Sequence, residues 1–149
     1  MKLDNSSLKR GLGFGILFAC AAAWVLAQSS LAMAAADPSA ELKTAIDHAG
    51  YSAKSEALTQ VHMHLHHTLN CLVGPQDKLF DAAAGNPCNG QGNGYLPDSK
   101  AAMPEGAAYY DALWAKQIAV QAIASNNLAE AKAGARAVVS VLENAAKAK

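Results

Sequence analysis

Residues 52–75 read SAKSEALTQVHMHLHHTLNCLVGP. Leu58, Val61, Leu65, Leu69 and Leu72 recur at intervals of three and four, the period that gathers side chains on one face of a helix. Ser52 is a capping residue ahead of this run, and Gly74-Pro75 is a firm stop behind it. The stretch therefore predicts an amphipathic helix carrying a dense group of histidines on its polar side.

The flanking sequence extends the same pattern. Asp37-Pro38 opens a helix, since proline is tolerated in a first turn. It is expected to run to about Ala49 and end at Gly50, or to form one long helix with the next segment, broken at Gly50. Residues 105 to about 125 return to helical spacing, with Tyr109, Leu113, Val120 and Ile123 on one face. Trp114 and Ile118 lie well round from that face, which predicts burial on more than one side. Asn126-Asn127 marks a turn. A last helix runs from Leu128 to about Ala146, with Leu128, Ala131, Ala135, Val138, Val139 and Leu142 as its apolar stripe. Alanine is abundant throughout; it favours helix and permits close helix packing. The expected fold is all-α: a small antiparallel four-helix bundle with a long Gly/Asn-rich loop, about 74–104, pinned by a disulfide.

The chain has 149 residues, 52% hydrophobic and 16% charged, with equal numbers of basic and acidic side chains. That balance excludes a basic nucleic-acid-binding domain and an acidic solvating tail. The length excludes a multidomain enzyme. Lys2, Lys9 and Arg10 precede an apolar run, GLGFGILFACAAAWVLA, and the small residues Ala32, Ala34 and Ala36 follow. This is the order of a secretory signal peptide. Residues 1–36 are read as that signal, with cleavage after Ala34 or Ala36, and residues 37–149 as a single mature domain, periplasmic or secreted. Two other readings of the segment are a retained membrane anchor, since residues 11–27 reach the short end of a bilayer span, and lipid attachment at Cys20. Cleavage would remove Lys2, Lys9, Arg10 and Asp4 and leave nine basic and eleven acidic side chains. The mature chain then has no electrostatic grip on nucleic acid or an anionic membrane, and no membrane span.

Four of the five histidines fall in VHMHLHH, residues 61–67. At about 100° per residue they divide into two pairs. His62 and His66, at i and i+4, lie beside the apolar stripe. His64 and His67, at i and i+3, lie on the far side, with Met63 near them. Neutral imidazole is a good ligand for zinc, copper and nickel. His62 and His66 are the first candidate pair for a divalent or copper ion, His64 and His67 the second, and Met63 an auxiliary ligand for copper alone. Further ligands would come from a facing helix or the loop, where Met103, Glu105, Tyr109, Tyr110 and Asp111 are available. The rival to all of this is ordinary polar and packing roles for a histidine-rich helix.

Cys71 and Cys88 remain after cleavage. An even pair in an oxidising compartment reads as a disulfide, which would fold the loop back against the histidine helix. Reduced, the two thiolates with His64 and His67 would make a four-ligand zinc set instead.

Several chemistries lack their pattern. There is no HExxH for a zincin protease, no CxxCH for covalent haem, no phosphate-loop motif and no GxSxG. Asp77, Asp81, Asn86, Asn89, Asn93 and Asp98 do not reproduce a calcium-loop spacing and read as turn residues. Phe80, Tyr95 and Leu96 are expected to anchor the loop. The functional expectation is an exported small protein that binds or buffers a metal ion through its histidines, with no substrate or reaction assigned. The alternatives are a periplasmic interaction or structural module that uses the pinned loop to contact another envelope protein, and a noncovalent haem protein using a histidine with Met103.

Overall fold

The computed structural model describes residues 35–102 and 106–148. The signal-peptide segment up to Ala34, with Cys20, and the candidate ligands Met103 and Glu105 lie outside them. The described residues form five helices and no strand: α1 (Pro38–Lys54), α2 (Leu58–Val73), α3 (Tyr95–Ala102), α4 (Ala107–Ala124) and α5 (Leu128–Lys147). None of these helices is long and apolar enough to cross a membrane.

Asp37 caps α1 as its sequence suggests, its carboxylate accepting the Ala40 N–H at 3.0 Å, with Pro38 in the first turn. The helix does not stop at Gly50 but continues a further turn to Lys54. One glycine inside a helix costs only about 1 kcal/mol, and nothing crowds this one. Ser52, expected to cap the next helix, lies inside α1. It is fully buried and donates its hydroxyl to the Val61 carbonyl at 2.8 Å. The break falls instead at residues 55–57. From there α1 and α2 fold back on each other, and Thr68 Oγ1 donates to Ala45 O at 3.3 Å farther along the same seam.

The stripe of α2 faces inward: Val61, Leu65, Leu69 and Leu72 are buried, and Leu58 packs at the edge. α1 packs on α2 and α5, and α4 packs on α5 and α2. The α4–α5 seam is built from small residues. The buried line of α4 is Ala112, Ala115, Ala119 and Ala122, and α5 buries Ala131, Ala135 and Val138. A Cβ on Gly134 would stand 2.5 Å from Ala122 Cβ, so the two helices are in close contact at this glycine. Larger α4 residues such as Tyr109, Leu113, Val120 and Ile123 are only partly buried against the core. Trp114 points outward and is 67% exposed. The expected burial of α4 on a second side is corrected at this residue: with alanines on the inner line, α4 sits too close to its neighbours to leave room for an indole.

The segment expected as loop, 74–104, contains α3. Eight residues with Pro97 in the first turn are too few for a readable period, but Tyr95 and Leu96 are buried as expected. Between α2 and α3 the chain is a series of capped turns. Asp77 accepts the Leu79 N–H, Asp81 accepts Ala83 N–H and Asn86 accepts Cys88 N–H. These oxygens serve turns. Gly74 (φ 72°) and Gly94 (φ 111°) bring the two ends of the segment together, and a Cβ on either would strike the other's backbone neighbourhood. The Cys71–Cys88 disulfide is present and its sulfurs are buried in the core.

Candidate metal centre

His48 enters from the middle of α1, and His64 and His67 from α2. The hairpin places them level, because His48 and His64 lie equally far along the chain from Glu56, the middle of the connection. All three rings are half-buried, and one ligand nitrogen from each lies within 4.8 Å of the other two. His48 Nδ1 is the hub, 3.2 Å from His67 Nδ1 and 3.4 Å from His64 Nδ1. Nitrogens held at about 2.0–2.1 Å on a tetrahedral ion stand about 3.3–3.4 Å apart, so the two spacings are compatible with a metal's coordination edge as well as with hydrogen bonds between the rings. Tyr51 borders the cluster, its ring 5.5 Å from His48 and 5.6 Å from His64.

Hydrogen bonding fixes which nitrogen of His67 is free. Its Nε2 lies 2.6 Å from the Ala84 carbonyl oxygen. A carbonyl only accepts, so Nε2 carries the proton and Nδ1 keeps its lone pair facing His48. A backbone carbonyl on the far nitrogen of a ligating histidine is the usual support of such a ligand. To bind an ion through Nδ1, His48 carries its proton on Nε2; with the proton on Nδ1 it can instead donate to His67 or His64.

Electrostatics favour the neutral form of His48 and His64. Burial pushes the pKa of His48 down from its ordinary 6.5 to about 4, and His67 and His64 beside it push the same way. Burial, then His67, also lowers His64. A second positive charge would sit in a poorly solvated pocket among other imidazoles. Neutral imidazole is the form that binds metal, so the lowered pKa values of His48 and His64 reduce proton competition at these two rings.

The other expected ligands have different surroundings. His62 Nε2 donates to the Ser125 carbonyl at 3.0 Å, at the C-terminal end of α4, where a helix leaves carbonyls unpaired. His66 turns toward the loop, its Nδ1 3.4 Å from Asp81 Oδ2 without forming a hydrogen bond. The first candidate pair is thus not brought together with the cluster, whereas the second pair is. Met63 is 41% exposed on α2. The disulfide removes Cys71 and Cys88 from the rival four-ligand set, because the thiolate, not the disulfide, binds metal. His48 was not among the expected ligands. Its signal was present in the sequence as helical register across a hairpin, readable only once the break is placed at residues 55–57.

No family model, curated protein or solved structure matches the chain.

Proposed function

We propose that this chain is an exported metal-binding protein that holds one transition-metal ion, zinc, copper or nickel, at His48, His64 and His67. The observation that carries the reading is the convergence of three Nδ1-side imidazole edges at 3.2 and 3.4 Å, with one of them already set in its ligand tautomer. An all-imidazole donor set favours these ions over calcium or magnesium, which take oxygen. Three ligand nitrogens within 4.8 Å of one another suit a single ion, whereas a haem iron is held by one or two axial ligands. The role is binding or buffering, with no catalytic step assigned. The reading takes the four long helices as an antiparallel bundle that sets His48 beside His64, and residues 1–36 as a signal removed on export. The disulfide supports an oxidising compartment.

Isothermal titration calorimetry of the mature protein with Zn2+, Cu2+ and Ni2+ tests the site. One saturable high-affinity site is expected in wild type, lost in His48→Ala and retained in the double variant His62→Ala/His66→Ala. If His48→Ala binds as tightly as wild type, the assignment is wrong. Mass spectrometry of the protein from its native host should show an N-terminus at Ala35 or Asp37; a retained Met1 overturns export by cleavage.

A further inference from the structure

The turn at residues 81–85 touches the histidine cluster through one carbonyl, and that carbonyl is held by an unusually complete set of hydrogen bonds. Asn70 is buried, 1% exposed. Its Nδ2 donates to Asp81 O and to Gly85 O, both at 2.7 Å, and its Oδ1 accepts from Asp81 N at 2.8 Å. One amide thus grips both ends of the turn. Inside it, Asp81 Oδ1 accepts from Ala83 N at 2.9 Å and from Ala84 N at 3.4 Å. Ala84 O then receives the Nε2–H of His67.

We infer that Asn70 is a positioning residue for the metal centre: it clamps the turn whose Ala84 carbonyl fixes the His67 ring and its tautomer. This rests on the metal reading above. Asn70 and His67 stand three residues apart on α2. One rigid helix therefore carries both the ligand ring and the anchor of the carbonyl that orients it, so the two cannot drift apart. The side chain must supply two donors and an acceptor from one short stem, which only an asparagine amide does here. Aspartate has the same shape but would point an oxygen at two carbonyls. Gly85, at φ 91°, takes a left-handed backbone conformation that strains any other residue, while a Cβ there would meet His67 Nε2 at an ordinary contact of 3.8 Å. Beside Asn70, Cys71 ties the far side of the same segment to α2 through Cys88. Without the clamp, His67 can flip or rotate, and its Nδ1 lone pair is no longer held toward His48.

The test joins nuclear magnetic resonance of the metal-free protein with Zn2+ calorimetry. In wild type the His67 nitrogens should show the Nε2–H form, with a slowly exchanging ring proton. Asn70→Asp should lose the protected proton and bind Zn2+ about 10–100-fold more weakly, the usual effect of removing a ligand's outer support, at unchanged helix content. Gly85→Ala changes no buried side chain and should shift both readouts the same way to a smaller extent; it carries the comparison should Asn70→Asp lose helix content. A wild-type His67 protonated on Nδ1, or variants that lose the signal and keep wild-type affinity, would overturn the inference. A wild type that shows the protected proton yet binds no Zn2+ overturns the metal reading itself, and calorimetry alone tells that failure from the others.

Discussion

Glu41 is a carboxylic acid with no exposed surface, and replacing it should change how stability depends on pH. Its Oε1 accepts the Gly94 N–H at 2.7 Å, while Oε2 is buried with no partner. Burial raises its pKa from 4.5 to about 7, with Asp98 and Asp37 adding to the rise and the Gly94 N–H partly opposing it. The folded state therefore prefers the protonated form more than the unfolded state does. The stability this contributes is complete below about pH 4.5 and is lost as pH rises through about 7. At 1.36 kcal/mol per pKa unit, the loss is about 3 kcal/mol at most. His48 acts in the opposite sense. Its depressed pKa of about 4 contributes stability present above its ordinary 6.5 and lost as pH falls through about 4. The two trends overlap, so wild type alone should show a shallow profile. Glu41→Gln separates them, since glutamine keeps the acceptor for Gly94 and cannot ionise. Urea unfolding with a chelator present, from pH 4 to 8, should show the variant gaining on wild type by about 3 kcal/mol across this window. A difference that stays constant from pH 4 to 8 would refute the reasoning, because Glu41 would then titrate alike in both states.

Two further outcomes follow from the packing. Replacing Cys71 and Cys88 by serine should lower unfolding stability by about 3 kcal/mol on the chain-entropy estimate for a loop of this length, read from the same urea curves. Leu65→Ala should cost about 2–5 kcal/mol because its side chain is fully buried; Trp114→Ala, though a larger deletion, should stay within about 0.5 kcal/mol because the indole is mostly in solvent. Thermal melting that ranks Trp114→Ala as the more damaging change would contradict the placement of α4.

The amino-acid sequence determined the helical class, the cap at Asp37, the buried stripe of α2 and the pairing of Cys71 with Cys88. Each rests on a local period, a capping side chain or the chemistry of two cysteines, and none needs to know where another helix lies. It also divided the histidines of α2 into two pairs by rotation about the helix, a local property, and the structure brings one of them, His64 and His67, to His48. It ranked His62 and His66 ahead of His64 and His67, but which pair had company was not a local property. That depended on where α1 ended. A break at Gly50 would set a different register, whereas the break at residues 55–57 brings Ser52 to Val61, His48 to His64 and Ala45 to Thr68. The position of the break is decided by burial along the whole α1–α2 seam, with Ser52, Ala45 and Ala49 fully buried, and that outweighs the modest cost of one glycine in a helix. The outward turn of Trp114 has the same origin: its place on a second apolar side of α4 suggested burial there, and the close approach of alanine-lined helices excluded it. Tertiary packing alone made a three-histidine centre out of one histidine on α1 and two on α2, because only the hairpin register puts nitrogens from two helices within a metal's reach.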